Sequence, residues 1–263
     1  MTDRDKCTSM IMGIQAVLFD LDGTLLDTEA LSDKAILLFY RDRGLAREIY
    51  DSMARNGYRL PWDLKKQMLG LRGSDWGPIA VKYAEEHWDI PPNSVTVDEI
   101  WSGWEQNLND LCTEVKACPG AAQLVTVLAV KHKLPLAIAT SSRREAVTKK
   151  ATKHGEMFRH IETIVAGDHP AVKAGKPAPD IYLEAARQLG VHPSQCLVVE
   201  DALSGVRAGK AAGCVVVAVP DARFTQQEKA VFEAESDYVI ESLSEFQKID
   251  IVYDTKQLKD GNT

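Results

Sequence analysis

Short apolar, β-branched runs near residues 14–19, 134–139, 163–166, 196–199, 214–219 and, more weakly, 237–240 constrain this chain more than any other feature. Each run is nearly continuous rather than alternating, the pattern of strands covered on both faces. Helical periodicity follows at residues 120–133, 144–154, 180–189 and 204–212. Strands alternating with helices predict right-handed βαβ crossovers and a doubly wound parallel sheet, an α/β Rossmann-like core with its site at the carboxyl ends of the strands.

Between the first run and the second, residues 30–116 carry no strand pattern. Apolar residues at three-to-four spacing predict helices near 29–43, 61–69, 75–88 and 97–111, broken at Gly57, at Gly70-Leu71-Arg72-Gly73 and at Pro91-Pro92. A connection of that length is expected to form a domain of its own. The expected organisation is a core from residues 14–29 and 117–248, an inserted α-helical domain from 30–116, and polar termini at 1–13 and 249–263 that fray.

The 263 residues carry a formal net charge of −7, which leaves no basic surplus for nucleic acid or a membrane surface. A small anionic substrate therefore needs a local positive pocket. Five cysteines (Cys7, Cys112, Cys118, Cys196, Cys214) form no CxxC pair, an unpromising disulfide framework that suggests a reducing compartment. None has an arginine six residues on, which disfavours a cysteine phosphatase. No apolar segment follows the charged residues 1–6, and no run of about 18 apolar residues occurs, so a cytoplasmic location is expected.

The first strand runs into Asp20-Leu21-Asp22-Gly23-Thr24. Strand alternation points both aspartates to one face, where their charges repel unless a cation or a proton intervenes. That makes them candidates for metal binding and acid–base work; taken alone, Asp-Gly is also a common turn. An EF-hand loop is excluded by Thr24 and Leu31 at ligand positions and by the preceding strand. The second strand ends in Thr140-Ser141-Ser142, which are either helix N-caps or an anion site. The loop after the third holds Lys176 between Gly175 and Pro177-Ala178-Pro179, and the fourth strand ends in Glu200-Asp201. Together these strand ends converge on one crevice.

The stretches "VLFDLDGTLLDTE", "PLAIATSSR", "GKPAPDIY" and "LVVEDALSGVRAGKAAG" resemble the four motifs of the haloacid dehalogenase superfamily. The helical insert is similar to the C1-type cap of its phosphoglucomutase-like branch, and "ATSSR" followed by "GDHPAVKAGKPAPD" is most similar to the pseudouridine-5′-phosphatase and glycerol-3-phosphatase subgroup. The resemblance implies a phosphatase acting on a small phosphorylated metabolite. It implies Asp20 as the nucleophile that becomes an aspartyl phosphate and Asp22 as the acid, then the base. Thr140, Ser141 and Lys176 would bind the phosphoryl group, and Lys176 would also offset the charge of Asp20. Asp20, the Asp22 carbonyl and Asp201 would hold one Mg2+, with Glu200 near it or acting through water. A monomer is expected for this branch. Pseudouridine 5′-phosphate, glycerol 3-phosphate and other nucleotide or sugar phosphates are the candidate substrates.

The dehalogenases lack an acid at the position of Asp22, so its presence here favours phosphoryl transfer. The alternatives are a β-phosphoglucomutase-type mutase and a catalytically silent binding protein. Such mutases carry a histidine where Ser32 stands and a cap arginine one position away from Arg72; the silent protein would lack Asp20, Asp22 or Lys176. Arg55, Lys65 and Arg72 are candidate cap-borne specificity residues, with solvated surface positions as the alternative for each, and Arg72 is carried forward as a substrate-binding candidate. His169 is expected on a surface loop. His154 and His160 lack metal-ligand spacing. All 5 tryptophans (Trp62, Trp76, Trp88, Trp101, Trp104) fall in the insert, where packing is expected to hold most of them and one facing the crevice would stack on a flat ring. Asp27 and Thr28 are expected to cap the first insert helix and act as a hinge.

Overall fold

A computed structural model describes residues 11–254 except 70, 72 and 250. Strand β1 (Ile11–Ile14) leads into β2 (Ala16–Phe19) and β3 (Leu26–Asp27). Five helices follow: α1 (Glu29–Asp42), α2 (Arg47–Ala54), α3 (Trp62–Met68), α4 (Gly73–His87) and α5 (Val97–Leu111). The chain then re-enters the sheet region through β4 (Lys116–Ala117), α6 (Ala121–Thr126), a π-helical turn (Val127–Lys131) and β5 (Leu136–Ala139). It continues through α7 (Arg144–Ala151), α8 (Gly155–Phe158), β6 (Thr163–Val165), α9 (Asp180–Leu189), β7 (Cys196–Glu200), α10 (Leu203–Ala211), β8 (Val215–Ala218), α11 (Gln226–Glu235), β9 (Tyr238–Val239) and β10 (Ile251–Tyr253).

The main sheet has the order β6-β5-β2-β7-β8-β9, with every pairing parallel. All residues of β2, β5 and β7 are buried, as their unbroken apolar runs require. Burying each Val, Leu or Ile of these strands contributes about 1.5–3 kcal/mol. One face packs on Leu124, Leu128 and Val147, and the other on Ile181, Tyr182 and Val206. After β2 the chain crosses toward β5, whereas after β7 it crosses toward β8. The crevice between the ends of β2 and β7 is therefore the switch point where doubly wound sheets bind ligands.

Helices α1 to α5 enclose a separate apolar cluster that includes Phe39, Tyr40, Leu64, Trp76, Trp88 and Ile100. The two ends of this segment are pinned to each other by the antiparallel pairs Leu26–Ala117 and Asp27–Lys116. The structure adds α2, whose two turns present only Tyr50 as a buried residue and so give little periodicity to read. The expected frayed C-terminus is corrected in part. Ile251–Tyr253 pair in parallel with Ile11–Ile14, because Ile251 and Tyr253 pack on the core under the sheet. Residues 1–10 and 255–263 of the expected tails lie outside the described residues. Among the described residues, no helix is long and apolar enough to cross a membrane.

Candidate active site

A cavity of about 510 Å3 opens at the carboxyl ends of β2, β5 and β7, within the range that encloses small organic ligands. Asp20, Asp22, Thr140, Ser141, Lys176, Glu200 and Asp201 all line it. The sheet brings them together because β2 ends at Phe19, β5 at Ala139 and β7 at Glu200. Arg72 lies outside the described residues.

The Lys176 ammonium donates to Asp20 Oδ1 at 2.5 Å and to Glu200 Oε1 at 2.5 Å. Glu200 also accepts from the Tyr182 hydroxyl at 2.8 Å and from the Ala202 N–H at 3.1 Å. Asp201 Oδ1 accepts from the Thr24 hydroxyl at 2.8 Å. Gly23 sits at φ +92°, and a Cβ there would overlap the Asp201 carboxylate. Glycine is required on both counts: the left-handed backbone and the close approach. A Cβ on Gly205 would likewise strike the Glu200 carboxylate.

Asp22 has its own set of partners. Its Oδ1 accepts from Lys150 Nζ at 2.5 Å, and its Oδ2 accepts from the Ser142 hydroxyl at 2.7 Å and the Thr140 hydroxyl at 3.3 Å. These hydroxyls are not N-caps: α7 starts after Arg143 without a side-chain cap, and the Arg144 N–H is taken by Asp168. Thr28 is corrected in the same way. It precedes α1 without a capping bond, and its side chain faces the cavity beside Asp22.

Burial pushes the Asp20 carboxyl up to about 7, with Glu200 and Asp22 reinforcing the rise and the Lys176 charge opposing it. Burial also raises Asp201 well above its ordinary value, aided by Glu200 and Asp20. At Asp22 burial acts upward too, but the Lys150 charge and the bonds from Lys150 and Ser142 outweigh it, leaving that carboxyl below its ordinary value. Lys176 is held above its ordinary value: burial lowers it, and Asp20 and Glu200 more than restore it.

Carboxylate oxygens of Asp20, Glu200 and Asp201 lie within 4.8 Å of one another. This is a hard, all-oxygen donor set suited to Mg2+, and the excess of buried negative charge there is what a dication relieves.

Opposite the carboxylates, Ser32, Trp76, Trp101, Trp104, Glu105 and Leu108 from α1, α4 and α5 form the facing wall. Trp101 and Trp104 stack at 5.2 Å, and Trp104 donates its indole N–H to Ser32 Oγ at 3.2 Å. Arg143, from the sheet side, stands 5.5 Å from the Trp101 ring and 3.6 Å from Glu105. Lys65 is not solvated. It is buried between Glu29 and Asp33, pinning α3 onto α1. His169 sits outside the cavity lining, 3.8 Å from Glu184, and the His154 ring bonds the Val115 carbonyl. Of the remaining tryptophans, Trp88 is buried and Trp62 packs edge-on against Phe224. The site residues that sequence reasoning missed are Lys150 and Tyr182; Ser142, read as a cap or an anion ligand, bonds Asp22 instead, and Thr24, quoted in the first motif without a role, bonds Asp201. Val147 and Lys150, three apart on α7, share the buried face of that helix, which the sequence pattern did not single out.

Residues 14–213 match the family described as haloacid dehalogenase-like hydrolase. The chain belongs to that family. It is 36% identical over 237 residues to (DL)-glycerol-3-phosphatase 2 of Arabidopsis thaliana, covering 89% of each chain. It is 34% identical over 233 residues to "Probable pseudouridine-5′-phosphatase" of Drosophila melanogaster, covering 88% of this chain and 90% of the other. Among solved structures it is similar to CbbY from Rhodobacter sphaeroides in complex with phosphate, with TM-score 0.67, 26% identity, and 89% and 96% of the two chains covered. Family and relatives together make this haloacid dehalogenase-like protein an enzyme of the phosphoric monoester hydrolase class.

Proposed function

We propose that this enzyme hydrolyses a small phosphate monoester in two steps through an aspartyl phosphate on Asp20, and that residues 30–116 act as a cap whose wall selects the substrate. The observation that carries this is the Asp20–Lys176 contact of 2.5 Å at one end of the cavity, with Asp22, two residues on, held separately by Lys150 and Ser142. A nucleophile and a proton carrier are thus presented side by side with independent partners.

In the first step an Asp20 oxygen attacks phosphorus as the bond to the leaving oxygen breaks; Asp22, ionised at rest beside Lys150, takes a proton from the incoming monoester monoanion and delivers it to that oxygen. In the second, water attacks the same phosphorus, Asp22 takes the water's proton, and the Asp20–phosphorus bond breaks to release inorganic phosphate. Lys176, the Thr140 hydroxyl and Ser141 bind the phosphoryl oxygens, where charge must be stabilised as the transfer proceeds. Asp20 and Asp201, with the Asp22 carbonyl and Glu200 nearby, would hold a Mg2+. When bound, that ion supplies positive charge that keeps Asp20 ionised and screens an anionic substrate.

Glycerol 3-phosphate and pseudouridine 5′-phosphate, the substrates in the names of the two relatives, are the first candidates. Transfer to water rather than to a second sugar is supported by Ser32, whose hydroxyl is engaged by Trp104 where a mutase of this branch carries histidine. Phosphate release from a panel of these two esters, flavin mononucleotide and glucose 1-phosphate, with Mg2+ and with EDTA, tests the proposal. Metal-dependent release from one or more is expected. Isomerisation of glucose 1-phosphate without release would favour the mutase, and no turnover of any kind would favour a binding protein.

A further inference from the structure

We propose that Lys150 is a positioning residue that, together with Ser142, fixes the Asp22 carboxylate in the orientation from which it exchanges protons with the leaving group and with water. This rests on the acid–base role of Asp22 proposed above.

Each carboxylate of the Asp20/Asp22 pair has its own buried lysine. Lys176 serves Asp20 from the loop after β6, and Lys150 serves Asp22 from α7. The Lys150 side chain is only 1% exposed, and burying an ammonium costs several kcal/mol unless its partners compensate. Its partners are both at the site: Asp22 Oδ1 at 2.5 Å and Ser142 Oγ at 2.9 Å. Ser142 in turn donates to Asp22 Oδ2 at 2.7 Å, so the three side chains close a triangle that occupies both carboxylate oxygens. A carboxylate held at both oxygens cannot rotate freely about its last bond, and neighbouring Asp20 cannot push it aside. Helix α7 also has an apolar anchor, Val147, buried in the core. Lys150 therefore acts on Asp22, and its removal should produce the kinetic signature of a misplaced proton carrier.

That signature is readable with two aryl esters. The leaving group of p-nitrophenyl phosphate departs with little need of a proton, whereas that of phenyl phosphate needs it more. In Lys150→Met, p-nitrophenol is expected in a burst of about one equivalent per enzyme, because transfer to Asp20 survives and attack by water is slowed. Steady-state kcat is expected to fall about 10²-fold, near the low end of what a positioned proton carrier contributes, and phenyl phosphate is expected to show no burst. Competitive inhibition by inorganic phosphate is expected to stay within about twofold, since Lys176 and Thr140 remain. Should Lys150→Met fold poorly, Ser142→Ala removes one side of the triangle without leaving a buried charge unpaired. It is expected to show the same pattern with a loss of about tenfold. Asp22→Asn serves as the reference. If Asp22→Asn itself shows no difference between the two esters, the acid–base reading of Asp22 fails and the inference falls with it. If Asp22→Asn shows the signature while the Lys150 and Ser142 variants lose both esters equally, lose phosphate inhibition or lose nothing, only the inference is overturned.

Discussion

At the sheet edge Lys176 bonds Asp20 and Glu200, Lys150 bonds Asp22, and the Thr24 hydroxyl bonds Asp201, so each of the four carboxylates has a polar partner. Across the same cavity α1, α4 and α5 present Trp76, Trp101, Trp104 and Leu108, with polar residues among them such as Glu29, Ser32, Asp98 and Glu105. The two sides differ in what fixes them. The sheet side is set by charge pairs that must be mutually satisfied, because an unpaired buried charge is costly. The wall formed by α4 and α5 on the helical side is set by aromatic packing, which tolerates exchange of one apolar shape for another, with the buried Lys65–Glu29–Asp33 cluster as the charged joint between α3 and α1. On the proposed function, the contrast is a division of labour: chemistry would sit where substitution is least forgiven, and selectivity where it is most forgiven.

The sharpest way to break that division is at the nucleophile. Asp20→Asn is expected to lower kcat by at least about 10³-fold for every ester, as removal of a nucleophile does elsewhere, while circular dichroism stays native. A variant that keeps its rate would leave the sheet edge without its assigned role. Next in size is the wall. Trp104→Ala is expected to change the ratio of kcat/KM between a compact ester such as glycerol 3-phosphate and a ring-bearing ester such as flavin mononucleotide by about 10- to 100-fold. The Mg2+ concentration for half-maximal activity should stay the same; a change in metal dependence without a change in preference would reverse the division.

Gly23→Ala probes the sheet side without removing a charged group. The left-handed backbone at φ +92° costs about 1–2 kcal/mol with a Cβ, and the methyl would displace Asp201. Weaker activation by Mg2+ is expected together with a lowered Tm, measured by titration of activity and by calorimetry. The smallest effect lies far from both sides, at Glu184. Hydrogen bonds from Arg187 and then Gln188 lower it from 4.5 to about 2. A carboxyl depressed in the folded state adds stability above its ordinary value and loses it as pH falls through the folded one. Glu184→Gln is therefore expected to flatten the loss of Tm between about pH 4.5 and 2, and to leave Tm at pH 7 lowered by a few degrees at most.

Much of this was legible because the sheet-edge residues follow directly from uninterrupted apolar strands. Once β2, β5 and β7 are recognised, the placement of Asp20, Thr140 and Glu200 at one edge follows from strand direction alone. Lys150 was not legible. Lys149-Lys150 reads as the basic last turn of a helix, and only the burial of Val147 and Lys150 on one face shows that the second lysine turns inward. Lys65 misled for a related reason, since its partners Glu29 and Asp33 lie on another helix and reach it only after α3 has docked on α1. Nothing in the sequence around Tyr182 marks its hydroxyl, which acquires a partner only when Glu200 arrives from β7. In each case the missing information was a long-range contact between polar groups, which local periodicity does not encode.

The central claim is that the phosphoryl group passes through Asp20. It is tested most directly by mixing the enzyme, Mg2+ and p-nitrophenyl phosphate for milliseconds, quenching in acid, and mapping the added phosphate by peptide mass spectrometry. The account predicts a transient, acid-stable phosphoryl group on the peptide containing Asp20, absent in Asp20→Asn and persisting longer in Asp22→Asn. Turnover with no phosphorylated chain at any time, or with the label on another residue, would contradict it.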